Sequence, residues 1–209
     1  MSAEIHSIHF PNQAVSILFQ KKDSSDAALN EYLIANEQDE WNQFTNEKRS
    51  VEFLTIRKLR TLAGIPSPIY YEKSGRPFLA PELGMALSIS HSKNYCAIAY
   101  GEGKMGLDIE EIDGRIERIS SRFLNESEHI FIGKHQQLDL TKIWTMKEAM
   151  FKLNPRTGID FKTELLIETK EGTVFKGKML TDQGWTNVLI DTIQHENLVI
   201  TACSIRSDN

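Results

Sequence analysis

The sequence has few cysteines, and they are not spaced as a metal-binding motif. Only two of the 209 residues are cysteine, Cys96 and Cys203, and they lie far apart in apolar, strand-like segments. We expect two buried, reduced thiols, with a disulfide as the alternative. The chain also has no apolar run of membrane-spanning length, and its first residues lack the basic region and apolar block of a signal peptide. We therefore expect a cytoplasmic protein without a membrane partner.

The sequence also has no excess of positive charge. Its formal net charge is -5 at pH 7, whereas general affinity for nucleic acid depends on many cationic contacts to phosphates. We therefore expect no nucleic-acid partner, and any anionic ligand must be bound by local basic clusters. The Gly-x-Ser-x-Gly motif of many serine hydrolases is absent too, and no acidic partner for a catalytic histidine is evident.

The remaining composition is that of a globular protein, with 40% hydrophobic and 25% charged residues. This length suits one domain or two small ones. An apolar stripe predicts a helix over 45–63, and alternating patterns predict a C-terminal antiparallel meander. Its four strands are expected at 164–168, 173–180, 185–191 and 198–205.

Two acidic segments have the pattern of a metal site. Residues 106–110, Gly-Leu-Asp-Ile-Glu, would as a strand project Asp108 and Glu110 from one face. Residues 144–152 would as a helix align Glu148 and Lys152 on one stripe. Three carboxylate oxygens suit Mg²⁺, and the lysine would face an anion. The alternatives are a solvated strand edge and an exposed helix face with weak ion pairs.

Several cations precede these segments. The predicted helix over 45–63 carries an excess of positive charge, including Arg49 and Arg57, which would be either a solvated face or a phosphate-binding one. A turn over 73–77 adds Arg76. Ser90 and His91 stand at a strand corner, where a lone histidine is either structural or part of a phosphate site beside the metal.

Glu128 has a structural explanation of its own. Asn125 has the character of a helix N-cap, and Glu128 stands three residues later, where a capping box places a glutamate. A capping glutamate contacts the backbone of the cap residue and needs no catalytic role.

Four motifs in this order resemble those of the 4′-phosphopantetheinyl transferases. They are residues 106–110 and 144–152, preceded by Gly-Arg-Pro at 75–77 and Ser-Ile-Ser-His-Ser at 88–92. The chain length resembles that of the long, Sfp-type members. The resemblance implies an α+β fold with two similar halves in one chain, a pseudo-dimer of antiparallel sheets with packed helices. The halves would be 1–102, with the coenzyme A-binding helix and loops, and 103–209, with the metal site and catalytic helix.

The resemblance also implies a reaction. The phosphopantetheine group of coenzyme A, the substrate, would pass to a serine of an acyl or peptidyl carrier protein, with Mg²⁺ as cofactor and 3′,5′-ADP as product, in a monomer. The alternatives are a Mg²⁺-dependent nucleotide or pyrophosphate hydrolase and a non-catalytic module that binds coenzyme A or a carrier protein. The sequence does not distinguish fatty-acid, polyketide and nonribosomal-peptide carriers.

Matching the motifs residue by residue implies a role for each site residue. The metal ligands would be Asp108, Glu110 and Glu148, and the catalytic residues Glu128, Glu148 and Lys152. Glu128 would hold the metal or activate the serine, which competes with the capping box. Coenzyme A would contact Arg49, Arg57, Arg76, Ser90, His91, Asp108 and Lys152.

Overall fold

A computed structural model describes the protein over residues 4–24, 29–34, 37–154, 156–172 and 174–205. The chain divides into two compact units, Met1–Glu102 and Gly103–Asn209. Each unit has its own antiparallel sheet and at least one long helix. The expectation of an α+β protein with antiparallel sheets and packed helices is confirmed at this level.

Within the ranges that the structure describes, the first unit has six strands and two α-helices. In chain order these are β1 (Ile5–Phe10), β2 (Val15–Lys21), α1 (Glu37–Trp41), α2 (Glu47–Leu62), β3 (Tyr70–Tyr71), β4 (Pro77–Phe78), β5 (Ala86–His91) and β6 (Tyr95–Gly101). Short 3₁₀ helices occupy Leu29–Tyr32 and Pro81–Leu83. The main sheet has the order β1-β2-β6-β5, and β3 and β4 form a separate hairpin.

Helix α2 begins and ends where its sequence predicts. The side chain of Asn46 caps its first turn by accepting a hydrogen bond from the backbone N–H of Arg49. After the last turn Gly64 adopts a left-handed conformation, with φ of +71°, which a residue without Cβ reaches easily. Ile56 and Leu59 pack into a core with Ile98 of β6, so α2 covers the first sheet.

The second unit packs one long helix on a five-stranded sheet. Its elements are β7 (Met105–Glu111), α3 (Arg115–Ile119), α4 (Gln136–Leu153), β8 (Leu165–Glu171), β9 (Val174–Thr181), β10 (Gly184–His195) and β11 (Leu198–Ile205). Two 3₁₀ helices, Ser120–Arg122 and Glu126–Phe131, follow α3. The sheet order is β7-β11-β10-β9-β8, with every neighbouring pair antiparallel. The predicted C-terminal meander is therefore confirmed.

Helix α4 is apolar around much of its circumference because it is enclosed in the core of this unit. Met146, Ala149 and Met150 are fully buried, and they share a cluster with Leu165 of β8 and Ile190 of β10. Helix α4 ends at Leu153, and Asn154 caps it with an extended backbone. The helix therefore lies across the sheet with little freedom to shift.

Gly106 allows α4 to lie unusually close to β7. A Cβ atom at this position would lie 1.9 Å from the carbonyl oxygen of Ala149 and 3.1 Å from the backbone nitrogen of Leu153. Only a residue without a side chain fits, since helix backbone occupies that space. The face of β7 that carries Gly106 therefore faces α4.

The structure also contains elements that the sequence patterns did not predict. Strand β1 and the short helix α1 are not among the predicted elements. Cys96 and Cys203 are both buried free thiols, as expected. None of the helices in the described part of the chain combines the length and apolar character that a bilayer crossing requires.

The close contact at Gly106 predicts a strong effect of adding one methyl group there. We expect Gly106→Ala to lower the free energy of unfolding by about 1–3 kcal/mol or more, because the new Cβ overlaps helix backbone. Urea denaturation followed by circular dichroism measures this change. Gly133→Ala is the matched control, because its Cβ would meet only Asp139 Oδ2, at an ordinary 3.5 Å. Equal stability of the two variants would contradict the prediction.

Candidate active site

Five motif residues of the second unit meet where α4 crosses β7. The ammonium group of Lys152 donates a hydrogen bond to Asp108 Oδ1 at 2.8 Å. The indole N–H of Trp144 donates to Glu110 Oε1 at 3.4 Å. Glu148 lies between Trp144 and Lys152 on the same stripe of α4, close enough for the charges of Asp108, Lys152 and Glu110 to affect its titration. The strand and the helix thus gather three carboxylates and one ammonium group.

Local sequence explains this arrangement. Leu107 and Ile109 are fully buried on one face of β7, so the strand alternation places Gly106, Asp108 and Glu110 on the other face. On α4, the four-residue spacing of Trp144, Glu148 and Lys152 produces one stripe.

Burial and mutual repulsion perturb two of these carboxyls. The pKa of Glu110 is raised to about 7, first by burial and then by the charge of Asp108. The pKa of Glu148 is also raised to about 7, by burial and by the charges of Asp108 and Glu110, while Lys152 opposes the shift. Negative charge is therefore concentrated where water can screen it only poorly, which is typical of functional sites.

The donor set suits a hard divalent cation. Oxygen atoms from a few carboxylates, with positions left for phosphate and water, are what Mg²⁺ prefers. No three His, Cys, Asp or Glu side chains within the described ranges form a ready-made metal cage. Instead Asp108 accepts from Lys152, and Glu110 from Trp144. The chemistry of the residues fits the ion, although their present partners are a lysine and an indole.

A cleft opens beside Glu110. Its volume is about 350 Å³, and Ile116, Ile119 and Trp144 supply apolar lining. Its remaining lining is polar or charged: Glu110, Glu111, Asp113, Arg115 and Thr141. Glu110 and Trp144 thus belong both to the carboxylate cluster and to a space that can accept part of a ligand.

Glu128 lies in a different environment, inside the protein. It is fully buried, and its Oε2 accepts from the backbone N–H of Asn125 at 2.8 Å, which completes the predicted capping box. The same oxygen lies 2.8 Å from the ammonium nitrogen of Lys147, and Oε1 accepts from the backbone N–H of Ile167 at 2.9 Å. These contacts engage both carboxylate oxygens and support the structural explanation over a role as base or metal ligand.

Arg57 is also inside the protein rather than on its surface. Its side chain is 1% exposed, and Nε donates to Glu37 Oε1 at 3.3 Å. The guanidinium carbon lies 3.6 Å from the centre of the Phe53 ring, and Nη1 donates to the hydroxyl of Tyr71. Glu37 also binds Arg60, at 3.0 Å. The positive charge of Arg57 is therefore neutralised within the first unit and is not presented to a ligand.

The other predicted coenzyme A contacts of the first unit differ in how exposed their side chains are. Arg49 is exposed, 5.9 Å from the centre of the Phe44 ring. Arg76 is half-buried in the turn between β3 and β4, and His91 is exposed at the end of β5. Ser90 is buried, at 3% exposure. Arg49, Arg76 and His91 can thus reach solvent.

Neither cysteine fits a nucleophilic role. Burial raises the pKa of Cys96 to about 12 and raises that of Cys203 as well. Thiols that remain protonated near neutral pH are poor nucleophiles and metal ligands.

Comparison with known proteins identifies the class of protein. The sequence model of the 4′-phosphopantetheinyl transferase superfamily matches residues 104–203. This segment contains β7 and α4 with all their site residues, and it belongs to that superfamily. The resemblance seen in the motifs is confirmed.

Individual relatives carry the same class name. The 4′-phosphopantetheinyl transferase AcpT of Escherichia coli K12 is 28% identical over 154 residues, which cover 70% of this chain and 65% of that protein. The protein of the same name from E. coli O157:H7 matches equally. The 4′-phosphopantetheinyl transferase gsp of Aneurinibacillus migulanus is 32% identical over 107 residues, 47% of this chain and 44% of that protein. The chain thus matches less than two thirds of the length of these relatives.

Sequence reasoning assigned no role to three residues whose contacts determine where predicted site residues lie. Gly106 permits the strand–helix contact, Lys147 pairs with Glu128, and Glu37 neutralises Arg57. Lys147 gave a detectable signal, because it stands among apolar helix residues where a solvated lysine is not expected. Glu37 gave none, since its partners lie 20 and 23 residues further along the chain.

The raised pKa values predict how metal-free protein responds to pH. Glu110 and Glu148 titrate near 7 when folded, against an ordinary 4.5. The folded state therefore binds their protons more tightly, and this stabilisation is full below about pH 4.5 and lost as the pH rises through 7. Relative to wild type, Glu148→Gln should become more stable at pH 8 than at pH 5, on the order of 1 kcal/mol after allowing for solvent screening. Thermal unfolding at both pH values tests this, and parallel profiles would contradict it.

The buried ion pairs of Arg57 predict a loss of stability rather than of ligand binding. We expect Arg57→Gln to lower the free energy of unfolding by about 3 kcal/mol, since it leaves part of the charge on buried Glu37 uncompensated. Arg49→Gln is the matched control on the same helix, and its exposed side chain should cost at most about 1 kcal/mol. Chemical denaturation measures both variants. An Arg57→Gln protein as stable as the control would show that the buried pairing is dispensable.

Proposed function

We propose that this protein transfers the 4′-phosphopantetheine group of coenzyme A to a serine hydroxyl of an apo carrier protein and releases 3′,5′-ADP. The observation that carries the proposal is the convergence of Asp108, Glu110, Glu148 and Lys152 within the segment that matches the superfamily. The reaction breaks the pyrophosphate bond of coenzyme A and forms a phosphate ester on the serine oxygen, whose proton is lost.

In this proposal Asp108, Glu110 and Glu148 hold Mg²⁺. When bound, the ion would neutralise negative charge on the pyrophosphate, the main requirement of phosphoryl transfer besides positioning. Lys152 supplies a cation to the same phosphates, because its side chain is 29% exposed and already lies beside Asp108.

In this proposal the two units have different roles. The second unit supplies the metal site and catalytic helix, and its cleft beside Glu110 provides room for part of a substrate. The first unit would bind coenzyme A through Arg49, Arg76, Ser90 and His91. We leave Arg57 and Glu128 out of this set because both are buried in ion pairs of their own.

The proposal extends to the fold and the setting. Each unit has an antiparallel sheet with a long packed helix, which supports the two similar halves of a long, Sfp-type enzyme. We propose a monomer that acts in the cytoplasm on acyl or peptidyl carrier proteins.

A panel of apo carrier proteins tests the reaction. Incubation with coenzyme A and Mg²⁺ should add the mass of phosphopantetheine to at least one carrier, and chelation of the metal should prevent it. We expect Glu148→Gln to lower kcat by about 10²-fold or more, because it removes a charged ligand of the metal ion. Glu171→Gln is the control: this carboxylate is exposed and pairs with Lys176 at the end of β8. Cleavage of coenzyme A without modification of any carrier would instead indicate a pyrophosphate hydrolase.

A further inference from the structure

The motif of helix α4 contains two lysines in opposite environments. Lys152 retains 29% exposure of its side chain, whereas Lys147 retains none. The ammonium group of Lys147 lies 2.8 Å from Glu128 Oε2 and donates to the backbone carbonyls of Phe123, at 2.7 Å, and Phe161, at 2.8 Å. An ammonium group has three donors, so these three acceptors satisfy it completely.

These contacts tie α4 to several separate segments. Phe123 and Asn125 lie in the connection before α4, Phe161 follows α4, and Ile167 lies on β8. Glu128 extends the network by accepting from the backbone N–H groups of Asn125 and Ile167. One buried ion pair therefore joins the helix to the chain on both sides of it in sequence.

The network acts at the residue next to Glu148. Successive residues of a helix are about 100° apart, so a restraint on Lys147 also restrains the direction in which Glu148 leaves the helix. Elsewhere on α4, the backbone of Ala149 packs on Gly106. The ion pair and the glycine contact together restrain both the rotation of the helix and its position along its axis.

An apolar pair of similar volume would fill the same space, but it would not select one position of α4 relative to β7. Buried ion pairs contribute little net stability over apolar substitutes, and their best-attested use is to specify one arrangement. A displacement of 1 Å in a catalytic group can cost about 10²-fold in rate. The charges of the Lys147–Glu128 pair are therefore explained if the pair fixes the position of Glu148, the next residue on the helix.

Building on the function proposed above, we propose that Lys147 and Glu128 are positioning residues that hold α4 in the register in which Glu148 and Lys152 face Asp108. Neither residue touches substrate: Glu128 is fully buried, and both of its oxygens are engaged. They act through Glu148 and Lys152.

Four variants test the proposal: Glu128→Gln, Lys147→Met, the double variant, and Met179→Ala. The double variant removes both charges and leaves neither unpaired. Met179→Ala opens a cavity in the same core but leaves the ion pair intact, so it controls for lost stability alone. All proteins are compared at a temperature at which each is fully folded.

Two measurements separate positioning from other roles. The first is the increase in Tm caused by Mg²⁺, which needs no carrier protein. We expect this increase to shrink at least two-fold in the three ion-pair variants and to remain in Met179→Ala. The second is transfer to a carrier, for which we expect kcat to fall about 10-fold while KM for coenzyme A changes less than three-fold.

The double variant distinguishes a shared role from a catalytic one. A positioning pair predicts that the double variant folds and is no slower than the slower single variant. If Glu128→Gln lost 10²-fold or more in kcat while Lys147→Met matched the Met179→Ala control, Glu128 would be a catalytic base and the proposal would be wrong. It would also be wrong if all three ion-pair variants behaved like Met179→Ala, or if the double variant did not fold.

The proposed function can fail separately. If wild type modified no carrier but still gained Tm with Mg²⁺, the transfer reaction would be wrong, and the Tm measurement would still decide the role of the pair. If wild type showed neither response, both proposals would fail.

Discussion

The close contact between α4 and β7 is the constraint on which the site depends. Four helix residues rise about 6 Å, and two strand residues rise about 6.6–6.8 Å. A stripe with four-residue spacing therefore stays nearly in step with alternate residues of a strand over a short distance. Gly106 brings the two backbones together. Trp144 then contacts Glu110, and the long side chain of Lys152, two helical turns further on, extends to Asp108. The two motifs therefore form one site together, because one supplies the strand and the other supplies the helix.

This contact has an electrostatic cost. It brings three carboxylates into a place where burial alone raises the pKa of Glu110 and Glu148, and Lys152 offsets only part of the repulsion. A chain selected for stability alone would not keep such a cluster. Under the proposed function this cost would become useful, because a divalent cation bound together with a polyphosphate would meet charge that is already gathered and poorly screened.

Local patterns predicted the parts of the fold that depend on local physics. The apolar stripe of α2 and the alternation of the last four strands are both short-range signals, and the structure has each of them. Strand β1 was missed because its residues, Ile-His-Ser-Ile-His-Phe, do not alternate between apolar and polar, and only Phe10 is buried. Arg57 could not be placed, because a cation on a helix has the same pattern whether it faces solvent or a distant partner such as Glu37. Ion pairs between residues that are far apart in the chain produce no periodic pattern in the sequence.

Because sequence patterns do not reveal distant partners, the roles of motif residues have to be inferred from their surroundings in the structure. Lys147 and Lys152 stand five positions apart in one motif, and the structure places them in different surroundings. The protein encloses the first with three acceptors and leaves part of the second exposed. A fully satisfied, fully buried ammonium group cannot exchange its partners for a phosphate without unfolding part of the helix packing, because an unpaired buried charge is strongly unfavourable. A partly exposed lysine can make that exchange. Of the two motif lysines, Lys152 is therefore the one that we propose to meet a substrate, and Lys147 is the one that we propose to act through the position of the helix.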